Sequence, residues 1–377
     1  MAEEIIWVAI GVCLTFSFWN GFTDAAYSIS TIIATRVLTP IRAVALASAG
    51  NFVGLLFGGA VATTIGKGII DTADPAIIAV MPHIVIAALL GGLLFDIMTW
   101  WLALPVSESH ILIGGLVGAG SAAAGTGVVL WNGLLSKVLI PMIVAPLVGF
   151  MVAFMLTVGI MHAFRRRSQE RVNRGFAKVQ LGSSFFASVM HGSNDGQKFV
   201  GILTALLLAA AWIPSRNAPL WVILAAFGTV SLGTLLGGWR IVKTLAVKIT
   251  NLKPYQGVAA EGGGALILAV TAATGSPVST THAFTAAIMG VGATRRLSAV
   301  RWGLARRIIL TWIITMPTAA VFAYGTFSLL GLPNGWVLLG GIVALVVALV
   351  ALRPVLRRKL LARDEATLAA AGGSPPA

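Results

Sequence analysis

Apolar runs close to twenty residues long recur along almost all of this 377-residue chain, and few features confine a polypeptide more tightly. A bilayer core of ~30 Å takes about 20 helical residues, and within it every backbone N–H and C=O must find its partner inside the chain. With 58% hydrophobic and only 10% charged residues, the expected class is an all-α polytopic membrane protein. The spans are expected at 5–35, 41–66, 82–104, 107–124, 138–161, 182–211, 219–239, 255–274, 277–293, 304–330 and 335–352. Of these, 107–124 and 277–293 are each read as a full crossing or a re-entrant piece. Glu3 and Glu4 precede the first run, where a cleaved leader would carry positive charge, so that run is read as a retained span. The single Cys13 excludes an intrachain disulfide and a cysteine-rich metal site.

The formal charge of +14 first suggests nucleic acid, but its placement points elsewhere. With the amino terminus outside, all but four of the 26 basic residues fall on the inward side. The exceptions are Lys67, Lys137 and Arg216, which face outward, and Lys198, which lies within a span. That asymmetry is the positive-inside pattern of a cytoplasmic or inner membrane protein, with contact to anionic lipid and no nucleic-acid partner.

The chain is also doubled. Gly21-Phe22-Thr23-Asp24 returns as Gly192-Ser193-Asn194-Asp195, and Pro105-Val106-Ser107-Glu108-Ser109-His110 as Pro277-Val278-Ser279-Thr280-Thr281-His282. Gly54 and Gly58-Gly59 recur at Gly233 and Gly237-Gly238. About five spans separate each pair, so matched helices run in opposite directions. The expected organisation is an inverted repeat over 1–161, a basic cytoplasmic linker at 162–181, and a second repeat over 182–330. An extra helix at 331–353 and a disordered cytoplasmic tail at 354–377 complete it. Such duplication, with helices broken or re-entrant at the midplane, points to the central site of a secondary transporter.

His191-Gly192-Ser193-Asn194-Asp195-Gly196-Gln197-Lys198 interrupts a run otherwise suited to hydrocarbon. A charge at a bilayer centre costs about 2.5–3.5 kcal/mol on insertion scales, so it seldom sits there without a task. One reading is a buried Asp195–Lys198 salt bridge. The preferred one is a polar helix, broken at its glycines, that lines an ion or solute path.

The two Pro-Val-Ser elements each resemble a helix start, with proline in the first turn and hydroxyls that cap free amides. Such ends attract anions through unpaired N–H groups and the helix dipole. Two of them would form a cradle for a tetrahedral oxyanion, with Ser107, Ser109, Ser279, Thr280 and Thr281 as donors; Gln197 is grouped with them. Asp24 and Asp195, with Asn194 and Thr23, are read as ligands for a hard cation such as Na⁺, or as proton sites. Glu108 sits inside an anion-cradle motif, where it faces the cation, carries a proton or pairs with a neighbour.

Plainer readings stand beside these. His110 and His282 are proton carriers or satisfied interior histidines, and Glu261 and Lys198 belong to the same proton-or-gate group. Asn51 reads as a packing contact, and Asp96, near Trp100 and Trp101, as an anchor at the inner interface. Gly262-Gly263-Gly264 has neither the strand nor the lysine of a nucleotide loop. No nucleophile comes with a base and an orienting partner, so an enzyme is not expected.

Together the motifs resemble the inorganic phosphate transporter (PiT) family. Asn20-Gly21-Phe22-Thr23-Asp24-Ala25-Ala26-Tyr27 looks like its first signature and His191 to Lys198 like its second. The Pro-Val-Ser pair and Gly233-Thr234-Leu235-Leu236-Gly237-Gly238-Trp239-Arg240 extend the similarity over nearly the whole chain. The resemblance implies inverted repeats, a homodimer, a coupling cation at Asp24 and Asp195, and phosphate held by Ser/Thr groups of the Pro-Val-Ser motifs. The chain departs from the family pattern at Tyr27, usually asparagine, and at Glu108, usually a small hydroxyl residue. The expectation is therefore import of inorganic phosphate, alone or with a divalent metal, by symport with Na⁺ or H⁺ and without a cofactor. Sulfate symport and a passive anion channel are the alternatives.

Overall fold

The computed structural model describes residues 3–102, 106–238, 252–294 and 300–350, with Val242 and Leu352. Pro105, Trp239, Arg240 and the 354–377 tail lie outside the described residues. The described residues up to 327 form one compact unit and those from 328 onward a second.

No β-strand occurs among the described residues, only an isolated bridge between Ile70 and Val129. The helices are α1 (Glu3–Ala34), α2 (Pro40–Val53), α3 (Ala60–Lys67), α4 (Pro75–Trp101) and α5 (Glu108–Ala124). A short α6 (Trp131–Gly133) passes through a π-helical stretch into α7 (Ile140–Ala163). Then follow α8 (Gln169–Ala209), α9 (Leu220–Leu236), α10 (Pro254–Thr274), α11 (Thr280–Ala293) and α12 (Trp302–Leu330). A final helix, α13, covers Gly335–Val350. By length and composition, 5 of these can cross a membrane, and the α2–α3 pair, bent by 79°, makes a sixth. Other expected spans are helical but shorter or more polar. Helix α5 has 17 residues and α11 has 14, rises of about 26 and 21 Å, short of the ~30 Å a crossing needs.

Local sequence explains several boundaries. Asp74 caps α4 by accepting from the Ala76 N–H at 2.8 Å, and Pro75 supplies the first turn. Pro82 removes a donor inside the same helix, which kinks at Val80. The expected linker is largely helix, since residues from Gln169 onward open α8.

The two halves do run in opposite directions. Trp7, near the start of α1, packs on Trp212, just past the end of α8, with ring centroids 5.1 Å apart. At the other end Thr35 donates to Gln180 Oε1 at 2.9 Å. Equivalent contacts appear in duplicate. A Cβ on Gly21 would lie 1.9 Å from the Val230 carbonyl oxygen, and one on Gly192 would lie 2.2 Å from that of Asn51.

Those distances correct one expectation. Helix α8 is unbroken through 191–198. Gly192 and Gly196 serve close packing, because α2 and the Phe227 ring occupy the space a side chain would need. Among the described residues the bent pair is α2 and α3, and it falls at the other matched glycines. Gly58, with φ +84°, ends the bend between α2 and α3, and Gly237, with φ +60°, ends α9. Both adopt the left-handed region that glycine alone enters at little cost.

Candidate functional site

Helices α4 and α5 form one hairpin and α10 and α11 another, and their tips meet. Ser107 and Ser279 are the N-caps of α5 and α11, accepting from the His110 and His282 N–H groups at 3.2 Å each. Pro277 stands two residues before its cap, outside the first turn expected for it. It serves as the stiff approach to the helix, leaving the cap free to be serine. Across the tips, Ser109 Oγ donates to the Val278 carbonyl at 3.3 Å and Thr281 Oγ1 to the Val106 carbonyl at 2.9 Å. The rings of His110 and His282 meet edge to face at 4.6 Å, and His282 also stacks on Trp312 at 3.8 Å.

Against these tips lie the middles of α1 and α8. Asn20 Nδ2 reaches both carboxylates, 3.3 Å from Asp24 Oδ2 and 3.3 Å from Asp195 Oδ2. Thr280 Oγ1 donates to Asp24 at 3.1 Å. Lys198 forms an ion pair with Asp195 and donates to Ser109 Oγ at 2.5 Å, so it links the acid to a hairpin tip. The salt-bridge reading of this stretch is therefore present, on an intact helix. His191 Nε2 lies 3.1 Å from Asp195, while its Nδ1 is 2.9 Å from Asn51 Oδ1. Asn51 in turn donates to Thr234 at 2.8 Å, in keeping with a packing role. Ligand atoms of Asp24, His191 and Asp195 lie within 4.8 Å of one another.

Glu108 turns toward the same centre. Thr23 Oγ1 donates to its Oε1 at 2.7 Å. Asp96, expected at an interface, is instead buried (1% exposed) and accepts from Trp19 Nε1 at 2.6 Å. Glu108 is its buried neighbour. The packing of α4 against α1 carries Asp96 inward, which its indole neighbours in sequence do not reveal. Four carboxyl groups, Asp24, Asp96, Glu108 and Asp195, are thus buried here against one buried ammonium, Lys198, which pairs with Asp195. Such an excess favours bound cations or protons, since buried charge is costly unless paired. Asn194 is fully buried, yet neither end of its amide has a hydrogen-bond partner. An unsatisfied buried amide loses about 1–3 kcal/mol, which a ligand would restore.

Two expected site residues lie apart. Gln197 serves the bend: its amide donates to the Phe57 carbonyl at 3.0 Å and accepts from the Val61 N–H at 3.1 Å. Glu261 forms a separate cluster, accepting from Thr31 at 2.6 Å and Gln180 at 3.0 Å, with Ser183 on its other oxygen. Asn20 and His191 are contributors that the motifs alone did not single out. They occupy equivalent places one helical turn before Asp24 and Asp195, so the repeat spacing could have found them. Tyr27, at the place equivalent to Lys198, lies beside Thr281 as Lys198 lies beside Ser109.

Residues 20–171 and 160–323 match the model of a family described as the phosphate transporter family. A probable low-affinity inorganic phosphate transporter of Rhizobium meliloti is 46% identical over 316 residues, 83% of this chain and 93% of that protein. One of the same description from Bacillus subtilis is 37% identical over 330 residues, 87% of this chain and 98% of its own. A solved structure, that of a sodium-dependent phosphate transporter, superposes with a TM-score of 0.78. It covers 87% of this chain and 99% of its own, and its 22% identity makes this a likeness of fold.

Proposed function

The chain belongs to the phosphate transporter family and is a multi-pass membrane transporter, not an enzyme, and from that premise we propose that it imports inorganic phosphate by symport with Na⁺ or H⁺. What carries the reading is the meeting of the two capped hairpin tips with Asp24 and Asp195 at one buried place. In this conformation the hydroxyls of Ser109, Thr280 and Thr281 satisfy carbonyls and a carboxylate of the protein itself. Phosphate would exchange those bonds for its own as the tips part, with the α5 and α11 amino termini favouring its charge. Asp24, Asp195, Asn194 and Thr23 would hold the driving cation, whose charge offsets that of the arriving anion.

The likeness to a sodium-dependent transporter favours Na⁺, and the grouped carboxylates suit a hard cation on oxygen ligands. A cytoplasmic-membrane location and a homodimer belong to the same proposal. Radiolabelled phosphate uptake into proteoliposomes, with Na⁺ and pH gradients imposed separately, tests it. Uphill accumulation under one gradient supports symport. Uptake that never exceeds the external concentration points to a channel, and potent inhibition by sulfate without phosphate uptake to another oxyanion.

A further inference from the structure

A cleft opens beside the buried site, not in it. It has a volume of about 450 Å³ and is lined by Thr63, Lys67, Gln197, Arg216 and Asn217 among mostly small and apolar residues. No acidic residue lines it. Nearby Asp71 and Asp74 are turned to their own turns, accepting from the Ala73 and Ala76 N–H groups at 3.0 and 2.8 Å. Arg216 makes only long contacts, 3.5 Å to the Gly66 carbonyl and 3.4 Å to Thr72. Lys67 and Arg216 are two of the few cations outside the basic face, and the fold sets both on one opening. The base of the cleft is Gln197, two residues beyond Asp195 on α8 and bonded to both sides of the Phe57–Val61 bend.

We infer that this cleft is a capture site for a small oxyanion, in which Lys67, Arg216 and Asn217 hold phosphate before the Gln197-locked bend of α2 and α3 admits it to the buried centre. The phosphate and its inward direction rest on the function proposed above; the anion preference rests on the cleft alone. Two cations on a walled opening with no opposing carboxylate raise the local anion concentration and lose that effect as salt screens them. Gln197 suits the base because a neutral amide closes the path by hydrogen bonds without trapping an anion. Gly58 makes the lock possible, since a Cβ there would lie 2.7 Å from Gln197 Nε2.

The test begins with charge at the cleft, read without transport. Cys13 is buried, so Thr63→Cys in a Cys13→Ala background places one reactive thiol on the wall. An anionic methanethiosulfonate should label it several-fold faster than a cationic one, and inorganic phosphate should slow the labelling. Adding Lys67→Gln and Arg216→Gln should abolish that preference. In proteoliposomes, the same two substitutions should raise KM for phosphate by about three- to tenfold and flatten its salt dependence, with the maximal rate within about twofold. Equal labelling by the two reagents, or an unchanged KM in the double variant, would overturn the capture site. Wild-type protein that keeps the labelling preference but accumulates no phosphate would overturn the transport reading instead.

Discussion

Ser109 and Thr281 hold equivalent places in the two halves, and each donates its hydroxyl to a backbone carbonyl of the opposite hairpin tip, Ser109 to Val278 and Thr281 to Val106. The tips are thus fastened to each other by the same side chains expected to receive phosphate. Each hydroxyl has two tasks, and opening the site means breaking one to perform the other.

Ser109→Ala and Thr281→Ala should each raise KM for phosphate about fivefold, from a hydrogen bond worth about 1 kcal/mol. The double variant should fall short of the product of the two, because both bonds belong to one contact. Uptake kinetics across the four proteins give the coupling directly, and full multiplicativity would show the tips acting independently.

Asp195→Asn should abolish cation-driven uptake while the protein still inserts. It also strands Lys198, which is 2% exposed, so a destabilisation of about 3–5 kcal/mol is expected. Adding Lys198→Gln should restore most of the thermal stability and none of the transport. Recovery of coupled uptake in that double variant would remove Asp195 from the coupling site.

Asn194→Ala separates a ligand from a packing residue. Because its amide bonds nothing in the protein, removing it should change thermal stability by no more than about 1 kcal/mol. The cation concentration giving half-maximal uptake should rise about tenfold, as loss of one charge-assisted oxygen contact implies. A large fall in stability with unchanged cation dependence would make Asn194 structural.

Gly192→Ala should lower melting temperature and yield, since its Cβ would meet the Asn51 backbone at 2.2 Å, contacts that cannot yield without moving α2. Gly182→Ala, on the same helix with nothing within 4 Å, should be neutral or slightly stabilising. Similar thermal stability for the two would refute close packing as the reason for Gly192.

Much of this was legible in the chain because it is local or repetitive. The apolar runs fixed the helical membrane class, since unpaired backbone groups are intolerable in hydrocarbon. The paired motifs told of two opposed halves, and the serine caps at 107 and 279 follow from the hydroxyl next to the first turn. What a glycine is for was decided only in three dimensions. Gly192 and Gly58 look alike in sequence, yet one admits the α2 backbone while the other turns a bend, according to what lies opposite each. Asp96 likewise joined the acid cluster only when α4 packed on α1, and Gln197 left the hairpin tips for the bend on the far side of α8. Periodicity and capping are properties of neighbours along the chain, whereas these contacts join residues tens to hundreds of positions apart, which only the completed packing brings together.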